Sequence, residues 1–109
     1  DDNSYVHRLF KVNHKVSDME DELFAIVDNG GRIQMIMIDH PVYGEIQTLL
    51  KLTCRRDVSH FLDQASSNDF RPLSDLTNGV HYHLVEADSE QDIDYIEEAL
   101  NHLGFLVKE

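Results

Sequence analysis

A chain of 109 residues can bury one modest core without disulfides and leaves no room for a second domain of ordinary size, so residues 1–109 read as a single domain. Nine Lys and Arg against 21 Asp and Glu give a formal net charge of -12, which excludes a surface that grips nucleic acid or anionic membrane unaided. Such surfaces need clustered positive charge, and only Arg55-Arg56 approaches it. Hydrophobic residues at 41% suit a folded globular protein, the single Cys54 excludes an internal disulfide and reads as a half-buried small residue, and no 18-residue apolar run or basic leader appears; the expected setting is the cytoplasm.

The chain starts without an initiator Met on Asp1-Asp2-Asn3-Ser4, which reads as a piece cut from a longer protein at a linker. Residues 5–12 interleave aromatic and β-branched residues with His7, Arg8 and Lys11, the pattern of a strand ending near His14. Ser17 with Glu20 three residues on reads as a capping box, and Met19, Leu23, Ile26 and Val27 form one apolar stripe of a helix that Asn29-Gly30-Gly31 ends. Residues 32–39 are too apolar and too short for a helix between two turn signals, so they read as a central strand. His40-Pro41-Val42-Tyr43-Gly44 turns the chain into an antiparallel partner over residues 45–52.

Val58, Phe61, Leu62 and Ala65 predict a second helix over residues 56–65, and residues 69–78 read as loop. Val80, Tyr82 and Leu84 then alternate with His81, His83 and Val85, a strand whose two histidines share one face. Ser89 caps a third helix carried by Ile93, Ile96, Leu100 and Leu103; Gly104 ends it, and Phe105-Leu106-Val107 is a short last strand. The order predicts an α+β fold, a two-layer arrangement with helices on one face of a mostly antiparallel sheet.

His81 and His83 stand about 6.5 Å apart along a strand, a spacing that lets two imidazoles converge on one metal ion. His14 ends the first strand, and the helix after it carries Asp18, Glu20, Asp21 and Glu22. By helix angle Asp21 faces solvent, and with Glu20 engaged in the capping box Glu22 is the freer carboxylate. Spacing alone leaves His14, Glu22, His81 and His83 open between a ligand set and ordinary polar surface. As a ligand set, imidazoles with one carboxylate suit Zn, Ni, Cu or Fe rather than Mg or Ca. Pro41 and Gly44 are explained by turn geometry, whereas His40, Tyr43 and Glu45 in the same link fit a binding loop. His7, His60 and His102 carry no assignment, and no phosphate loop or nucleophile elbow appears, which argues against an enzyme.

N-G-G-R-I at 29–33, H-P-V-Y-G-E-I at 40–46 and G-V-H-Y-H at 79–83 together resemble the three-histidine (3H) domain, the ligand-sensing half of niacin-responsive transcriptional repressors of the NiaR family, over about residues 7–109. The resemblance implies an open-faced, HPr-like sandwich that follows an N-terminal winged helix-turn-helix absent from this chain. It implies a divalent transition metal on His14, Glu22, His81 and His83, nicotinate as co-repressor, and repression of NAD biosynthesis or niacin uptake. A homodimer that reaches DNA only through the missing half is expected, with His40, Tyr43 and Glu45 lining the ligand pocket. Two alternatives stand beside this sensor: a metal-dependent enzyme acting on a small pyridine or carboxylate, and a dimerisation module with a structural metal.

Overall fold

The computed structural model describes residues 5–67 and 77–107. Among the described residues the principal elements are β1 (Val6–Asn13), α1 (Met19–Asp28), β2 (Arg32–His40), β3 (Gly44–Leu52), α2 (Arg55–Ser67), β4 (Val80–Ala87) and α3 (Glu90–His102), with a 3-10 turn (Val16–Asp18) leading into α1. The strands form one antiparallel sheet in the order β1-β4-β2-β3. All three helices pack against the same face, α3 over β1 and β4, α1 over β2 and α2 over β3, so the predicted α+β architecture is the observed one.

Alternation along the strands separates the two faces. In β4 the odd-numbered His81, His83, Val85 and Ala87 are buried beneath the helices, while Val80, Tyr82, Leu84 and Glu86 point the other way and stay partly exposed. Phe10 and Val12 of β1, Ile33 and Ile38 of β2 and Leu52 of β3 join the buried layer, and Leu23, Ile26, Val58, Ile93, Ile96 and Leu100 descend onto it from the helices. A bulge between Ile33 and Met35 keeps β2 in phase with both neighbours.

Gly31 explains how α1 turns so tightly into β2. A Cβ there would stand 2.7 Å from both Ile26 Cγ2 and Ile96 Cδ1 and 2.9 Å from the Ile26 carbonyl oxygen, so only glycine lets the chain pass between two helices.

Three local expectations change. The α1 N-cap is Asp18, without a side-chain cap bond, because the 3-10 turn takes up Ser17 before the helix begins. Cys54 is exposed, since it sits in the turn between β3 and α2 rather than on a packed face. The final strand reduces to one bridge, Val12 to Leu106, with Asn13 N–H donating to the Phe105 carbonyl at 2.8 Å and Val107 N–H to the Lys11 carbonyl at 2.9 Å. That contact covers the outer edge of β1. Of the loop expected over residues 69–78, the part up to 76 lies outside the described residues; no helix of the described residues is long and apolar enough to cross a membrane.

Candidate metal centre

Glu22 sits in the first turns of α1 on the side turned to the sheet, fully buried, while Glu20 and Asp21 beside it are exposed. The helix angle therefore separates the carboxylates as the sequence suggests, although the capping box that was to engage Glu20 is not what begins the helix. A carboxylate removed from water is costly unless it meets a cation or several donors. Three imidazoles surround it. His14 Nε2 lies 2.9 Å from Glu22 Oε1, His81 Nε2 3.2 Å from Oε2 and His83 Nε2 3.3 Å from Oε1. His81 and His83 come from the buried face of β4, and His14 from the turn two residues past Val12 on the same face of β1.

Two of these rings are oriented from behind. His81 Nδ1 is 2.9 Å from the Gly79 carbonyl oxygen and His14 Nδ1 is 2.7 Å from that of Lys15. A carbonyl oxygen only accepts, so in both rings the Nδ1 must be the N–H, and a neutral ring then turns an Nε2 lone pair on Glu22. Backbone carbonyls holding the outer nitrogen are what a metal-ligating histidine ordinarily has behind it. His14 Nε2 is buried and, although close to Oε1, lies off the line of a hydrogen bond; His83 Nδ1 is likewise buried without a partner. A lone pair facing a carboxylate oxygen at 2.9 Å is repulsive unless a proton or a cation stands between them, and a cation there would engage both.

The donor atoms of His14, Glu22 and His81 all fall within 4.8 Å of one another. His83 touches Glu22 but stands outside that three-residue group, with its ring edge-on to His81 at 4.8 Å between centroids. Electrostatics follow the geometry. Burial pushes the Glu22 carboxyl up, but the charge of His83 and the contacts with His14 and His81 outweigh it and hold the group well below the usual carboxylate range. Burial pulls the His14 imidazolium down, and neighbouring Glu22 reverses this, leaving it raised above the ordinary 6.5.

The chain matches the 3H domain family over residues 7–109. It belongs to that family. Over 106 residues it is 37% identical to a protein of Thermotoga maritima named "Probable transcription repressor NiaR", covering 97% of this chain and 61% of the relative. Over 102 residues it is 37% identical to "Transcription repressor NadR" of Bacillus subtilis, covering 94% of this chain and 57% of that protein. This 3H domain thus spans about three-fifths of the length of the relatives it matches.

The other candidate residues of the 3H domain gather at the tip of the β2-β3 hairpin. His40 Nδ1 accepts from the backbone N–H of Val42 and of Tyr43, both at 3.1 Å, and its ring lies 4.9 Å from that of Tyr43. Tyr43 is 78% exposed and Glu45 is exposed. His40 therefore organises the turn that presents Tyr43, and none of the three touches Glu22 or its histidines in the described contacts.

A cleft of about 560 Å³ opens instead beside His14, walled by Lys15, Asp18, Asn78, Leu103 and Phe105. Sequence reasoning did not collect these residues, because they come from three separate turns that only the fold brings together. One signal was available in the Asn78-Gly79 pair: both adopt positive φ, 57° and 94°, and a Cβ on Gly79 would meet Asn13 Oδ1 and the His14 carbonyl oxygen at 2.8 Å. Gly79 thus lets the chain pass His14 while offering its carbonyl to His81.

Proposed function

We propose that this 3H domain, residues 1–109 as one unit, is the metal-holding, small-molecule-sensing half of a cytoplasmic transcription repressor, with nicotinate as co-repressor and NAD biosynthesis or niacin uptake as the controlled pathway. The observation that carries the reading is the buried Glu22 carboxylate faced by three imidazoles, two of them oriented by backbone carbonyls. The relatives' names as transcription repressors favour a regulator over a catalyst. DNA contact would come from a domain outside this chain, since a net charge of -12 gives this one no surface for phosphate.

His14, Glu22, His81 and His83 would hold the ion, which three nitrogens and one oxygen restrict to a transition metal such as Zn, Ni or Fe. Bound there, the metal supplies a Lewis-acid position for a pyridine nitrogen or a carboxylate. The protein's own part is to place a selective cavity beside it. The cleft next to His14 is of the size that small ligands use, with Phe105 and Leu103 as apolar walls and Lys15 and Asn78 as groups that suit an anionic substituent. His40, Tyr43 and Glu45 at the hairpin tip are the second candidate seat. Closure of the ligand would favour one arrangement of a homodimer, which requires tighter binding to that arrangement than to the other.

Elemental analysis with calorimetric titration of nicotinate tests the reading on the wild type and on the His81→Ala, His83→Ala double variant. Binding to the metal-loaded wild type and its loss in the variant is the expected result. Equal binding to both would show that the histidines take no part in sensing. Lys15→Ala weakening nicotinate but not nicotinamide would place the ligand in the cleft, whereas an effect of Tyr43→Ala alone would place it at the hairpin.

A further inference from the structure

His14 differs from the other two imidazoles around Glu22 in what holds it. His81 and His83 stand on β4, and the Nε2 of each lies in hydrogen-bonding geometry with Glu22, at 3.2 and 3.3 Å. His14 stands past the end of β1, and its Nε2 is buried without a hydrogen-bond partner. Its Nδ1 donates to the carbonyl of the next residue, Lys15, a local bond that restrains the ring only as far as the turn itself is fixed. The Cβ–Cγ torsion of a histidine is broad, so no rotamer preference sets the ring plane. Rotation there carries Nε2 away from Glu22. Packing must supply the restraint.

Neighbouring rings supply it. His81 meets His14 edge-on, with centroids 4.9 Å apart and planes at 88°, and Phe105 meets it at 5.1 Å and 52°. Both separations lie in the range of aromatic pairs. His81 belongs to the ligand set, whereas Phe105 brings only an apolar ring. The chain delivers that ring through a turn pinned on both sides. α3 ends with Gly104 at a φ of 82°, Gly104 N–H donating to the Asn101 carbonyl at 3.0 Å and Phe105 N–H to that of Leu100 at 3.1 Å, the paired bonds of a left-handed helix stop. Beyond it the Phe105 carbonyl accepts from Asn13 N–H at 2.8 Å, one residue before His14, and Leu106 bridges Val12. Both rings are thereby tied to one hydrogen-bonded segment. Phe105 joins the apolar core, is 8% exposed, and also walls the cleft beside His14. Core, cleft and metal ligand meet at this side chain.

We propose that Phe105 is a positioning residue of the candidate metal centre: its ring, fixed by the turn that follows α3, holds the His14 imidazole with Nε2 toward Glu22. Phe105 touches no ion itself and acts through His14. In the metal-free chain it keeps Nδ1–H on the Lys15 carbonyl and so selects one neutral tautomer. In the loaded chain it spares the ion the cost of ordering a loose ligand. The cleft shares that ring, so a molecule seated there would press on the residue that aims His14. The inference deepens the metal-holding reading above and rests on it for the loaded chain, while the tautomer of His14 can be read without any ion.

Nitrogen NMR shifts of the isotopically labelled, metal-free chain, taken above the titration range of the imidazoles and assigned by the signal lost in His14→Gln, report the His14 tautomer. Competition for Co²⁺ against a chromophoric chelator reports affinity, and the visible bands of the bound ion report ligand geometry. The wild type is expected to show Nδ1–H alone at His14. Phe105→Leu is expected to show both tautomers, to shift the visible bands and to hold Co²⁺ about tenfold more weakly, the low end for loss of an outer partner. Phe105→Met, which fills the gap with a flexible chain, is expected to move the same signals and keeps the test valid should the leucine variant misfold. Ile96→Val, a core change beside Gly31, is expected to lower the melting temperature and leave all three readouts in place. Wild-type tautomer and Co²⁺ affinity in both Phe105 variants overturn the proposal. So does an Ile96→Val variant that moves the readouts as far, since stability alone would then explain them. A wild type that takes up no Co²⁺ contradicts the metal reading, and the tautomer comparison then decides the role of the ring by itself.

Discussion

Glu22 shows at the scale of one residue how burial and charge contend. With no metal bound, its depressed pKa means that the ionised form stabilises the fold above the unfolded value near 4.5, and that this contribution is lost as pH falls through the folded pKa. His14 has the opposite sign: its raised pKa contributes below the ordinary 6.5 and is lost as pH rises through the folded value. The metal-free chain should therefore be most stable between these two values. Urea unfolding at a series of pH values checks this, and Glu22→Gln is expected to flatten both limbs, since His14 loses the partner that raises it. Gly79→Ala forces a side chain into a positive φ against Asn13 and His14, so we expect a loss of about 1–3 kcal/mol. A chelator competition should show weaker metal retention in the same variant, because the Gly79 carbonyl orients His81 and an added Cβ would press on the His14 backbone.

At the scale of elements, most periodicities were readable because the element has one wet and one dry side; β2, with neighbouring Met37 and Ile38 both buried, was readable from its unbroken apolar run instead. The β4 alternation, the α1 stripe and the Ser89 cap of α3, which accepts from Asp92 N–H at 3.1 Å, all appear in the residues themselves. Ser89→Ala should cost about 1 kcal/mol in urea unfolding. Gly31→Ala should cost about 1–3 kcal/mol, because backbone and two isoleucines would have to move. What was not legible follows from the same physics. Whether His81 and His83 faced water or the helices depends on which side of β4 the helices cover, and alternation is symmetric between those choices. The 3-10 turn before α1 has no periodic signature, and the cleft beside His14 joins turns whose proximity is decided by strand order.

Taken whole, the described residues form a sheet with one side that the helices cover, holding three imidazoles around a carboxylate, and an opposite side that none of the three helices covers. Residue types and spacing nominated His14, Glu22, His81 and His83, yet left open whether they met; the fold brings all four together by packing α1 across the sheet next to β4. That convergence makes metal binding the central claim. Equilibrium dialysis against Zn²⁺ or Ni²⁺ with elemental analysis measures it directly on the wild type and on Glu22→Gln. One ion per chain, with affinity at least about tenfold weaker in the variant, is the predicted result. A chain that binds no stoichiometric ion, or one whose binding Glu22→Gln leaves unchanged, would contradict it.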